Sequence, residues 1–278
     1  MSPPPLSCEC VQDEGMHWRR AFREARQIVA NHGWRVAAAT ARGRLRDKLA
    51  RHPPQPEGDP MFWQSTDEHA FDREHGVDTS GLIRGEALAT GSRNDLWNTA
   101  YYGIGVSVFH RVLEQAPARL RDGATFIDLG CGKGRALLLA SGYPFRQVVG
   151  VEIAPSLHGI ALENARRYRS RHPEAPPIDV LLGDAARYVF PSGPVLLYLY
   201  HPFCRPVLEQ VLKNLGESLE REPREVAVVY INDELRDALD RAPFLERIWK
   251  ATVAMEPMDC LADRVGSSAE DCTVYLSR

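Results

Sequence analysis

The chain has 278 residues, 44% hydrophobic and 26% charged, with a formal net charge of -3, an ordinary balance for a soluble globular protein. It holds no run of about eighteen apolar residues, so no membrane span is expected. The opening MSPPPLSCEC lacks the basic-then-apolar order of a secretory signal, and six scattered cysteines make no disulfide framework. A cytoplasmic protein with reduced thiols is the expectation.

In chain order, the proline-rich residues 1–15 are expected to be disordered. A basic helical arm and Pro-rich linker follow over 16–60. Trp18, Phe22, Ala25 and Val29 recur at helical spacing, and His17 to His52 carries ten Arg or Lys against two acids. The arm is expected either to cap the main domain or to contact an anionic partner, whether lipid, nucleic acid or acidic protein. RHPPQPEGDP reads as a linker. Residues 61–120 are expected to form a helical and loop lid, with a helix from Tyr102 to Glu114.

Residues 121–278 change pattern. TFIDLG, QVVGVEI, IDVLLGD, PVLLYLY and REVAVVYIN are apolar strand candidates separated by helical stretches, with FLERIWKATV and DCTVYLSR as late strands. Alternation of this kind predicts an α/β fold with a parallel sheet and helices on both faces. The region from Ala251 to Asp271 reads as short and irregular.

IDLGCGKGRALL places Gly130, Gly132 and Gly134 between a strand and a helix. The G-x-G-x-G spacing departs from the dinucleotide fingerprint G-x-G-x-x-G by one residue, and Lys133 lacks the Ser or Thr of a Walker A loop. Three successive strands end in Asp128, Glu152 and Asp184, on the carboxyl edge where open α/β sheets bind ligands. An acid at the end of the second strand suits ribose hydroxyls.

This block, from Phe126 to Leu139 with Glu152 and Asp184 after it, resembles the class I S-adenosylmethionine-dependent methyltransferases. More narrowly it resembles a bacterial branch with a D-x-x-x-G-V-D-T-S-G stretch ahead of the glycine loop, here Asp72 to Gly81. The resemblance implies a Rossmann-like sheet of seven strands, the last antiparallel, with an N-terminal helical extension. It also implies that Gly130, Cys131 and Gly132 line the methionine part of S-adenosylmethionine, with Gly134 in the same loop and Asp128 near the amino group. Glu152 would hold the ribose hydroxyls, Ile153 would pack on the adenine, and Asp184 and Ala185 would meet the adenine edge. Asp78, Thr79 and Ser80 would fold over the cofactor, which leaves as S-adenosylhomocysteine. No metal is implied.

The fourth strand runs into His201-Pro202-Phe203, where the branch usually reads Asn-Pro-Phe. Three readings of His201 stay open: a general base, a polar contact for substrate or cofactor, and a turn residue. Pro202 and Phe203 join it as substrate-binding candidates, and Tyr101 and Tyr102 as residues flanking the transfer site. The expected activity is methyl transfer to a small molecule. Protein-lysine methylation and a non-catalytic cofactor-binding regulator remain as alternatives.

Overall fold

The structure is a computed structural model that describes residues 68–83, 100–262 and 268–278. The expectations for the disordered start, the basic arm and the linker fall outside the described residues. Seven strands form one sheet: β1 (Thr125–Leu129), β2 (Gln147–Glu152), β3 (Ile178–Leu182), β4 (Val195–Tyr200), β5 (Val226–Ile231), β6 (Leu245–Ala254) and β7 (Ala269–Ser277). Their spatial order is β3-β2-β1-β4-β5-β7-β6. The first five pair in parallel, and β7 runs antiparallel to both β5 and β6.

The apolar runs explain this layering. Every residue of β1 and β5 is buried, as central strands covered on both faces require, whereas β3 at one edge alternates buried and exposed positions. The helices are α1 (Ala70–His75), α2 (Val106–Leu113), α3 (Ala118–Arg121), α4 (Arg135–Ala140), α5 (Pro155–Arg171), α6 (Arg205–Arg221), α7 (Arg236–Asp240) and α8 (Pro257–Ala262). On one face, Phe109, Leu137 and Ala161 join Phe126 and Leu196; on the other, Leu208, Val211 and Leu215 join Ile127, Leu197 and Val228. Pro155 and Pro206 sit in the first turns of α5 and α6, where a missing N–H costs nothing. No described helix is long and apolar enough to cross a membrane.

Several elements differ from expectation. The helix expected from Tyr102 begins only at Val106, because Tyr101 exchanges two backbone hydrogen bonds with Ile83 and Gly105 stays extended. The described residues between Ala251 and Asp271 are more regular than expected: β6 continues to Ala254, α8 follows, and β7 begins at Ala269. That helix has a long-range purpose. Asp259 accepts from the Val106 and Ser107 amides at 3.0 and 2.9 Å, placing a carboxylate at the N-terminus of α2. His69 Nδ1 accepts from the Phe71 amide, so its Nε2 carries the proton donated to Asp259 at 2.9 Å.

Burial would raise the Asp259 pKa, but the His69 and Ser107 hydrogen bonds overcome it and lower it from 3.8 to about 2. A depressed carboxylate contributes stability that is complete above the unfolded value and lost as pH falls through the folded one. Asp259→Asn should therefore cost on the order of 2 kcal/mol at pH 7. In urea unfolding the gap from the parent protein should close between pH 4 and pH 2; a gap constant with pH would refute this.

Candidate functional site

Strand order reverses between β1 and β4, since β2 and β3 lie to one side and β5 to the other. Such a switch point opens a crevice at the carboxyl ends of the strands. Here the chain leaves β1 through Gly130, Gly132 and Gly134, whose φ values of 85°, 56° and 88° suit glycine. The Gly130 and Cys131 amides donate to Val151 O at 2.8 and 3.1 Å, which ties the loop to β2. A side chain at Gly130 would meet Pro202 Cβ at 2.5 Å, and one at Gly132 would lie within the Tyr101 ring.

Asp128, one residue before the end of β1, and Glu152, which ends the adjacent β2, are 4% and 5% exposed. Glu152 accepts from the Gly132 amide and the Ala154 amide, each at 2.8 Å. Burial raises its pKa, and those amides oppose the shift. No hydrogen bond reaches the Asp128 carboxylate among the described residues. Burial, then the nearby Glu152, pushes its pKa well above the ordinary value. Asp184 caps a short 3-10 turn, Ala185–Arg187, through the Ala186 amide at 2.9 Å.

These residues share one cleft with Cys131, Ile153, Ala185, Tyr101, Tyr102, His201, Pro202 and Phe203. It holds about 1170 Å³ of atom-free space, including the part open to solvent. Tyr102 lies edge-on to Tyr200 with ring centroids 5.0 Å apart. Phe203 is also 6% exposed and belongs to the core on the α6 side.

His201 adopts φ 36°, a region that non-glycine residues rarely occupy. Its Nδ1 lies 3.1 Å from the Tyr230 hydroxyl, and its Nε2 lies 3.7 Å from Glu234. The Tyr230 oxygen also accepts from the Leu235 amide at 3.4 Å.

Asp78, Thr79 and Ser80 stand behind the cleft wall and do not line it. Asp78 pairs with Lys133 at 2.7 Å, and Thr79 O accepts from the Tyr101 hydroxyl at 2.7 Å. Asp72, 1% exposed, takes the Thr79 amide at 2.7 Å, the Ser80 hydroxyl at 2.7 Å and the Thr79 hydroxyl. Arg135 completes the network, donating to Thr79 Oγ1, Ser80 Oγ and Ile104 O. Arg135 and Asn164, which bonds Asp78 O and Lys133 O, carry no local motif that marks them. A charged residue inside an apolar helical stretch was the one available signal for Arg135.

No family model and no curated protein matches the chain. Solved structures that resemble it include the 23S rRNA methyltransferase ErmE, at 18% identity over 62% of this chain and 68% of that one, with a TM-score of 0.43. Magnesium protoporphyrin IX methyltransferase from Synechocystis PCC 6803 with bound SAM shares 12% identity over 62% and 77%, at 0.40. The TehB-like SAM-dependent methyltransferase from Corynebacterium glutamicum shares 20% over 64% and 90%, at 0.39. These are likenesses of fold. The mixed seven-stranded sheet with one antiparallel member is the Rossmann-like arrangement expected from the sequence.

Gly132→Ala tests the close approach at the loop. Both it and Gly123→Ala carry a positive-φ cost of about 1–2 kcal/mol, but Gly123 has open space around it while Gly132 meets Tyr101. Overpacking should add about 1–3 kcal/mol at Gly132 alone. Equal losses in urea unfolding would show that the Tyr101 contact is unimportant.

Proposed function

We propose that the chain transfers a methyl group from S-adenosylmethionine to a small-molecule acceptor. The observation that carries this reading is the pairing of two buried carboxylates, Asp128 and Glu152, around a positive-φ glycine loop at the switch point of the sheet. Asp128, buried with no donor of its own among the described residues, suits the ammonium of an amino acid. Glu152, held by two amides, presents its remaining lone pairs to the ribose hydroxyls. Ile153 packs on the adenine, and Asp184 and Ala185 meet its polar edge. Cys131 and Gly130 line the methionine portion.

The donor supplies an activated methyl on a sulfonium, so the protein's task is alignment and exclusion of water. Tyr101, pinned by Thr79 and resting on Gly132, walls the site, and Asp78, Thr79 and Ser80 hold that wall. This support for Tyr101 is the role we assign to the Asp72–Gly81 stretch, and it fits the bacterial branch that carries the motif. Pro202 and Phe203 shape the acceptor side. For His201, the hydrogen bond to Tyr230 supports alignment of the acceptor over removal of its proton.

Calorimetry should detect micromolar binding of both S-adenosylmethionine and S-adenosylhomocysteine. Glu152→Ala should weaken it about 10- to 100-fold, as expected for losing hydrogen bonds to a charged group; unchanged affinity would refute the ribose assignment. A labelled-methyl screen against metabolites and proteins separates the remaining readings. Binding without transfer to any acceptor would mark a regulatory protein, and transfer to proteins alone would mark a protein methyltransferase. With an acceptor in hand, His201→Asn should retain the parent pH profile; a lost titration near neutrality would restore the general-base role.

A further inference from the structure

Past the glycine loop, the cleft is lined by aromatic residues that the cofactor roles leave unused. Tyr102 and Tyr200 both line it. The Tyr200 hydroxyl donates to Glu270 Oε1 at 2.7 Å, and Glu270, on β7, is 5% exposed. Tyr198 also lines the cleft, and its buried hydroxyl has no hydrogen-bond partner among the described residues. Its partner in the β1–β4 register is Asp128. Tyr200 immediately precedes the turn in which Pro202 rests on Gly130, so it ends β4 beside the glycine loop.

Among the described lining residues of the cleft the charge is one-sided. Asp128, Glu152 and Asp184 line the cleft, whereas Arg135 is the only Lys or Arg among its described lining residues. Its guanidinium is already engaged by Thr79, Ser80 and Ile104. A carboxylate-bearing acceptor would find no unengaged Lys or Arg among those lining residues to pair with. Phenol rings attract cations, and a hydroxyl that donates to a carboxylate becomes a stronger acceptor in turn.

Resting on the methyltransferase reading, we propose that the acceptor is a protonated amine seated against Tyr102 and Tyr200, with Tyr200 and Glu270 relaying its proton away. One N–H proton of the ammonium passes to Tyr200 Oη while the phenolic proton passes to Glu270. The freed nitrogen lone pair forms the new C–N bond as the methyl C–S bond breaks. That bond's electron pair stays on sulfur, leaving a neutral thioether and a methylated ammonium. Glu270 then returns its proton to water through Tyr200. Burial, reinforced by Tyr102 and Glu270, pushes the Tyr200 pKa well above the ordinary value, which keeps it a neutral phenol able to pass a proton on. In these roles Tyr200 touches the substrate and Glu270 acts through it.

The test uses the full chain saturated with S-adenosylhomocysteine and probed by calorimetry. The probes are 2-phenylethylamine, putrescine and Nα-acetyl-lysine amide, with 2-phenylethanol and phenylacetate as controls. At least one amine should bind about tenfold more tightly than either control, and the lysine probe distinguishes a protein-derived amine from a free one. With the best amine as methyl acceptor, Tyr200→Phe and Glu270→Gln should each lower kcat about 100-fold. Affinity for S-adenosylhomocysteine should hold, and Glu270→Asp should recover part of the rate. If Glu270→Gln fails to fold, Tyr200→Phe decides the relay. Normal S-adenosylhomocysteine binding with no preference for amines, or full turnover in the Tyr200 variant, overturns the proposal alone. Loss of S-adenosylhomocysteine binding by the parent protein overturns the methyltransferase reading on which it rests.

Discussion

Burying Asp128 and Glu152 on adjacent strand ends costs free energy that fixed donors or a cation must offset, because a carboxylate out of water is stable only when paired. Glu152 has two fixed donors, the amides of Gly132 and Ala154. Asp128 has none among the described residues, and its proton affinity rises accordingly. The loop that supplies the Gly132 amide must turn with positive φ three times within five residues. It must also sit close enough to Tyr101 and Pro202 to exclude a Cβ. The glycines, the buried acids and the walls of the cleft are thus one constraint met by several residues.

The segment ahead of the sheet is held by polar contacts. Asp72 gathers the Thr79 amide and two hydroxyls, and Arg135 reaches across from α4 to the same hydroxyls. Such a network is stable in a low-dielectric setting only when nearly every member is satisfied, which makes its geometry specific. Through Thr79 O it fixes the Tyr101 hydroxyl, and through Asp78 it fixes Lys133 in the glycine loop. At the other end of the chain, Asp259 joins α2 to His69.

The end of β4 follows a different logic. Tyr198 and Tyr200 point to the same face of β4, and β7 brings Glu270 to the Tyr200 hydroxyl. An antiparallel last strand inserted between β5 and β6 is what carries that carboxylate into reach. His201, by contrast, turns toward Tyr230 and Glu234.

The order of strands and helices from Thr125 onward was legible in the chain alone, since burial of a parallel strand on both faces demands an unbroken apolar run. The positions of Gly130, Glu152 and Asp184 at strand ends were legible for the same reason. Helix limits near Tyr102 were not, because a backbone pairing with Ile83 overrides local propensity there. The GVDTSG stretch was visible as a motif, yet its place behind Tyr101 and away from the cleft surface depends on Arg135 and Asn164, far along the chain. The contact of Tyr200 with Glu270 spans 70 residues and that of His69 with Asp259 spans 190. Periodicity and turn chemistry act over a few residues, so they determined the elements and the loop by themselves. Which side chains meet across the cleft was decided only when the sheet closed, because hydrogen bonds between distant residues leave no pattern in their neighbours.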